Sequence, residues 1–377
     1  MSFEESKSLA IKIINIYSER MKWGVFSKSI KNNHIPKAKN YSGLIEKIKE
    51  FSGPTVEVEK AIDIICKLIG LLKEHAISGE KAVRLAHVPF EHVDEFSSFL
   101  HDKLSEYSSR GDGWILECNT SIEANDYPEI VHIIELNKGI ALIFNSTRET
   151  SSKEEIPHSA IISDYKKDYS EGGKYYYINK INRRCHDVVF FNPINGLVEF
   201  RIDNNFNFST EERVQAFKKL QFAFNRFCKK KSTLQFIDLF PAVSSLYKMP
   251  AGDGRVVELS FTTDEGGIKR NKNRLATGGC ILNEEFHKGG CKCINDHLTP
   301  FKIARVWPFK GSSYNSEPEL MLPGTLWMVS LAGVDNRSLK EFVVTKSVGC
   351  KDYDMIFAKL CKALNFKQID EGYQKVT

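Results

Sequence analysis

Asp187, Glu199 and Arg201 lie beside or within two hydrophobic runs, residues 188–191 and 197–202, that flank the sequence Asn-Pro-Ile-Asn-Gly. Aromatic and β-branched runs around such a turn predict a β-hairpin. An Asp on one strand and a Glu-x-basic triplet on the next is the pattern with which metal-dependent nucleases hold Mg²⁺ between carboxylates. The hairpin therefore offers Asp187 and Glu199 as Mg²⁺ ligands, with Arg201 as the accompanying cation.

Arg201 stands where this phosphodiester chemistry prefers Lys, and its guanidinium is planar and always protonated. Both strands are also largely apolar on both faces. These two observations favour a buried framework hairpin whose polar ends lie in solvent. A metal-dependent nuclease centred on Asp187 and Glu199 is the alternative hypothesis, because a motif this short arises easily by chance.

A second group of candidate residues is cationic. Four cations fall within six residues of a Gly- and Asn-rich stretch, which predicts a loop between strands: Lys269, Arg270, Lys272 and Arg274. The backbone amides and basic side chains of such a loop can both contact phosphates.

A second basic run, Lys229, Lys230 and Lys231, lies at the C-terminal end of a predicted helix over 209–232. Cations at a helix C-terminus stabilise the helix dipole, so this run has a partly structural explanation. Two clusters in one half of a chain whose net charge is only +5 nevertheless favour binding of a polyanion.

A third group combines thiols and imidazoles within a short stretch. Its members are Cys280, His287, Cys291 and Cys293, with His297 close behind. Such ligands suit tetrahedral Zn²⁺, and the nearby glycines permit tight turns. The spacing matches no common paired motif, which favours incidental cysteines in a loop. If Zn²⁺ is bound here, we expect a structural role.

The elements that must position these residues fall into three predicted domains and an α+β fold. Residues 1–108 read as a helical N-terminal domain. Residues 112–249 read as a central mixed α/β sheet domain, whose long packed helix begins at the capping box of Ser209 and Glu212. Residues 254–377 read as a C-terminal β-rich domain ending in a helix. Ser- and Gly-rich breaks separate the domains.

Hydrophobic periodicity also predicts individual segments. Residues 114–117 and 326–331 read as strands, and residues 145–156 as a solvated loop. The connection at 76–86 reads as a loop with some helical character.

Composition bounds the class of protein. The 377 residues are 42% hydrophobic and 27% charged, as in an ordinary globular protein. Apolar runs fall short of the roughly 20 residues that span a bilayer, so we expect no membrane insertion. The N-terminus carries acids and does not resemble a secretory signal, and the scattered cysteines read as reduced thiols, which predicts the cytoplasm.

Together these patterns favour a nucleic-acid-binding protein that contacts the phosphate backbone electrostatically. DNA and RNA remain open, and a role as a subunit of a nucleic-acid-processing or host-defence assembly fits this expectation. The Mg²⁺-dependent nuclease is one alternative. A scaffold that docks a protein partner through its N-terminal helical domain, without nucleic-acid binding, is the other.

Overall fold

The computed structural model of the chain has the predicted α+β fold. It describes residues 2–30, 34–108, 111, 113–116, 127–160, 174–205, 208–228, 234–273, 279–294, 298–330, 338–369 and 372–375. No helix within these ranges is both long and apolar enough to cross a bilayer.

Helices occur throughout the described chain, and they are numbered here in chain order. They are α1 Phe3–Arg20, α2 Trp23–Ser29, α3 Tyr41–Lys49, α4 Val56–Ser78, α5 Val93–Ser108, α6 Gly113–Leu116, α7 Thr210–Cys228, α8 Phe240–Lys248, α9 Glu285–Cys293, α10 Trp327–Ser330 and α11 Cys350–Ala363. Side-chain caps start several of them, including the predicted box at Ser209 and Glu212. Thr55 accepts from the backbone of α4, and Ser209 and Glu212 form the reciprocal box that begins α7.

Strands from the whole length of the chain form one large sheet. The strands are β1 Lys81–His87, β2 Glu129–Leu136, β3 Gly139–Ile156, β4 Tyr175–Asn192, β5 Leu197–Asp203, β6 Gln235–Phe236, β7 Arg255–Thr263, β8 Ile268–Lys272, β9 Leu298–Val306, β10 Phe309–Lys310, β11 Asn315–Ser316, β12 Glu319–Leu322, β13 Phe342–Thr345, β14 Phe366–Ile369 and β15 Gly372–Lys375. The large sheet has the order β2-β3-β4-β5-β1-β13-β12-β9-β7-β8, with β6 paired to β1, whereas β10 with β11 and β14 with β15 form two separate two-stranded sheets. All described pairings are antiparallel.

The predicted hairpin is β4 and β5. Gly196 occupies the left-handed region with φ of 63°, which glycine adopts without strain. The side chains of Asn192 and Asn195 accept hydrogen bonds from backbone amides two residues on, as Asx turns do. Local chemistry alone therefore specifies this turn.

The sheet is continuous across the predicted domain boundaries. Strand β1 lies inside the 1–108 segment, yet it pairs with β5 of the central segment and β13 of the C-terminal one. The strand is short, and its apolar residues can be mistaken for a continuation of α4, which ends at Ser78. Residues 76–86, expected to form a loop, are therefore the end of α4 followed by the central strand β1.

Three further local expectations were wrong. Residues 113–116 and 327–330 are short helices rather than strands. Residues 145–156 belong to β3, which pairs with β4 as far as Ile156 and Tyr175. Beyond Asn145 no third described strand joins this pair, which continues as a two-stranded ribbon. Polar side chains are therefore tolerated on both faces of the ribbon.

Helices cover both faces of the sheet. One apolar cluster joins α1, α3 and α4 to the face that carries Ile143, Val188 and Phe190. A second joins α5 and α7 to the opposite face, which carries Phe144, Val189 and Phe200. A third lies under α8 and α11 and holds the C-terminal strands. The hairpin is thus enclosed on both sides.

Candidate functional site

The two carboxylates of the hairpin lie on opposite faces of the sheet. Glu199 pairs with Phe190, whose face packs against α1 and α4, whereas Asp187 pairs with Phe144, whose face packs against α7. Cross-strand partners share a face and successive residues alternate. The structure therefore does not bring Asp187 and Glu199 together around one metal.

Asp187 is fully buried rather than solvated. Its Oδ1 accepts from the backbone N–H of Asp203 at 2.9 Å, and its Oδ2 accepts from Ser146 Oγ at 2.7 Å and from the guanidinium of Arg148. The guanidinium of Arg148 also lies over the ring of Phe208. Asp187 borders a cleft of about 390 Å³ beside the first turn of α7, but both of its oxygens already have internal partners.

Glu199 and Arg201 form a bidentate ion pair in the interior. The Nε and Nη2 atoms of Arg201 each lie 3.0 Å from a Glu199 oxygen, and Tyr353 Oη donates to the same carboxylate at 2.6 Å. The Arg201 guanidinium lies between the rings of Phe190 and Tyr353, with its carbon 4.7 and 4.3 Å from their centroids. These contacts give Arg201 a packing role that a Lys could not fill.

The most heavily charged group in the interior is centred on Asp203, which the sequence motifs do not single out. Its carboxylate accepts from Arg20 at 2.8 Å, from Lys81, and from the backbone N–H of His186 at 2.6 Å. Burial alone would raise the pKa of Asp203, but the charges of Arg20 and Lys81 outweigh it and hold that pKa well below its usual range. The carboxylate of Asp203 is therefore ionised, and its charge is neutralised by cations inside the fold.

His186 completes this group as a neutral imidazole. Its Nδ1 lies 2.9 Å from Arg20 Nη1, which can only donate, so Nδ1 accepts and Nε2 carries the proton toward the carbonyl of Trp114 at 3.1 Å. Burial, followed by the charge of Arg20, lowers the pKa of His186 to about 3. Protonation would place a second cation against the guanidinium.

The basic stretch predicted as a loop is edge strand β8. Lys269 and Arg270 are exposed, and neither makes an ion pair with a described residue. Lys272 differs, because its Nζ lies 3.0 Å from Glu258, which Lys302 also contacts at 2.5 Å. Burial opposes ionisation of Glu258, but these two lysines outweigh it and lower its pKa.

The pairing register determines which face of the sheet each cation of this edge occupies. Arg270 and Lys302 both pair with Ser260 and share its face, and Lys272 lies two residues from Arg270 on the same face. Lys269 points to the other face. Arg274 and the run Lys229, Lys230 and Lys231 lie outside the described residues.

The predicted thiol and imidazole ligands divide into three environments. Cys280 is buried in the core under β7, where its sulfur accepts from the backbone N–H of Val256, and Cys293 is exposed. His287 and Cys291 contact each other on α9. Within the described ranges, no three His, Cys, Asp or Glu side chains are grouped as metal ligands.

The structure thus brings Lys269, Arg270 and Lys272 together at one edge and places Asp187 and Glu199 in separate buried networks. Comparison with protein-family models, with curated proteins and with solved structures found no significant match.

Proposed function

We propose that this chain binds nucleic acid through the phosphate backbone, with edge strand β8 as the contact surface. The observation that carries the proposal is the pair Lys269 and Arg270, exposed on this edge without a described carboxylate partner. The phosphates of a bound nucleic acid would neutralise these two cations.

The surroundings of this pair support the same partner. Arg270, Lys272 and Lys302 share one sheet face with Glu258 as their near carboxylate, so this face keeps an excess of positive charge. Ionised Glu258 holds Lys272 and Lys302 in place, which orders two cations beside Arg270. Phosphate contacts of this kind position a protein without reading bases, so the proposal names no sequence specificity.

Arg274 and Lys229–Lys231 enter the proposal from the sequence alone. Arg274 follows β8 along the chain after Asn273, whose backbone N–H bonds to Val257. Each additional cation that contacts a phosphate would steepen the slope of log affinity against log salt concentration by about 1.

The test measures binding of fluorescent duplex DNA, duplex RNA and single strands across a salt series. We expect affinity to fall steeply with added salt. The variant Lys269→Ala/Arg270→Ala should reduce the slope of log affinity against log salt by about 2 on duplex DNA. The matched control is Lys60→Ala/Lys67→Ala, which removes the same charge from the exposed side of α4, outside the sheet edge.

Binding that ignores salt, or a double variant that binds like the control, would contradict the proposal. Preference among the three probes decides between DNA and RNA. This design separates local contact at β8 from a general effect of net charge, because both variants lower the charge by the same amount.

The proposal also includes compartment and partners. Each described cysteine is a free thiol, as the reducing cytoplasm maintains. A subunit role in a nucleic-acid-processing or host-defence assembly, with the N-terminal helices docking a protein partner, is tested by co-purification. A partner retained by the full chain and lost on substitution of exposed helix residues would support it.

A further inference from the structure

Three polar atoms from two helices converge beside β7. His287 and Cys291 lie one turn apart on α9, with Nε2 and Sγ 3.5 Å apart. Tyr247 of α8 places its hydroxyl 3.2 Å from the same Nε2 and 3.8 Å from the same Sγ. His287 and Cys291 are both buried. The three atoms form a compact triangle, and the imidazole of His287 also contacts the ring of Phe261.

The three sides of this triangle lie within about 0.2 Å of the ligand separations on one face of a tetrahedral metal site. Zinc bonds of about 2.0–2.1 Å to nitrogen, 2.3 Å to sulfur and 2.0–2.2 Å to oxygen place tetrahedral ligands roughly 3.3–3.6 Å apart. We propose that Tyr247, His287 and Cys291 bind a divalent transition metal of the Zn²⁺ class, with the fourth position open to water or another ligand.

The donor types support this class of metal. Thiolate and imidazole together select Zn²⁺ over Mg²⁺ or Ca²⁺, which prefer carboxylate and carbonyl oxygens. Two ligands at i and i+4 on one helix face can hold one ion, because the helix brings both side chains to the same side. The third donor is the phenol of Tyr247 rather than another Cys or His.

The composition of α9 is an independent observation that points the same way. Gly289 and Gly290 lie between the two ligands, and a Cβ at either position would meet nothing within 4 Å. Packing therefore does not require glycine there, although each glycine weakens a helix interior by roughly 1 kcal/mol relative to alanine. A metal clamp from His287 to Cys291 spans these two residues and would offset that weakness.

The test titrates Co²⁺ into metal-free full-length protein and records its absorption spectrum. We expect one equivalent to bind, with tetrahedral ligand-field bands, a thiolate-to-cobalt charge-transfer band and displacement by Zn²⁺. Cys291→Ser and His287→Gln should lose the charge-transfer band. Tyr247→Phe should weaken binding while keeping that band.

Cys293→Ser is the matched control, since Cys293 is an exposed thiol two residues from Cys291 on the same helix. It should bind Co²⁺ as the wild type does. Absence of the charge-transfer band, its survival in Cys291→Ser or its loss in Cys293→Ser would overturn the proposal. The triangle would then be a hydrogen-bonded thiol, imidazole and phenol.

Hydrogen exchange supplies a second measurement that does not depend on spectra. Zn²⁺ should slow hydrogen exchange of the α9 amides in the wild type and leave their exchange rates unchanged in Cys291→Ser. Matching far-ultraviolet circular dichroism spectra would show that both proteins are equally folded. Equal exchange with and without Zn²⁺ in the wild type would contradict a metal clamp. Neither measurement uses nucleic acid, so each outcome is independent of the function proposed for β8.

Discussion

The carboxylate of Asp187 accepts a hydrogen bond from the backbone N–H of Asp203 at 2.9 Å, so two acidic residues meet where β5 ends beside the interior of β4. Their side chains are neutralised separately. Arg148 pairs with Asp187, whereas Arg20 and Lys81 pair with Asp203. Carboxylates that could have held a cation from solvent instead hold the chain's own cations in the interior.

Removing the charge of Asp203 should strongly destabilise the fold. In Asp203→Asn the buried cations Arg20 and Lys81 lose their counter-ion, and breaking a buried ion pair in this way costs about 3–5 kcal/mol. Urea denaturation measures the loss. Asp63→Asn, in an exposed pair with Lys67, should change the free energy of unfolding by less than about 1 kcal/mol. Similar losses in both variants would contradict the assignment.

Arg201→Lys makes the hairpin triplet resemble the nuclease pattern more closely, and it should still fail to create activity. The bidentate pair with Glu199 and the stacking between Phe190 and Tyr353 would be lost, which we expect to lower the free energy of unfolding by about 2–4 kcal/mol. Denaturation and a Mg²⁺-dependent cleavage assay check both parts. Cleavage that appears in this variant and requires Asp187 would overturn the structural role.

Stability should fall as the pH drops below the ordinary pKa of histidine, because His186 resists protonation in the fold. The unfolded chain takes up a proton near pH 6.5 while folded His186 does not until about pH 3, so the free energy of unfolding decreases across that interval. The loss approaches about 1.4 kcal/mol per pH unit for this group.

His186→Gln removes this titration, so its stability should depend less on pH between about 6.5 and 4. Thermal unfolding across a pH series compares it with His101→Gln, which replaces an exposed histidine on α5. Parallel curves for wild type and His186→Gln would contradict the neutral imidazole.

Alanine should stabilise α9 in the absence of metal. Gly289→Ala places a methyl group in open space, and it lowers the entropy of the unfolded chain, so we expect a gain of about 0.5–1 kcal/mol. Chemical denaturation with a metal chelator present measures this gain. Gly139→Ala is the contrasting control, since its Cβ would lie 2.0 Å from the carbonyl oxygen of Phe191 and should be destabilising.

Local signals in the sequence were sufficient for several elements. The turn at Asn192–Gly196, the capping box of α7 and the amphipathic helix α11 each depend on residues a few positions apart, and all three were predicted correctly. The α+β class follows from the same signals, because strand and helix periodicities both occur. Short apolar runs misled the prediction, since residues 113–116 and 327–330, within or beside the expected strands, are helical.

Only the tertiary structure decided what the charged residues do. Equal distance from a turn cannot place two side chains on one face, since a shift of a single residue in register reverses the face. The partners of Asp203 come from α1 and β1, 183 and 122 residues away. Burial then selects among possible partners, because an ion inside the fold must find its counter-ion there. The sequence therefore determined the hairpin and the cations, and packing determined which cations remain available at the edge of the sheet.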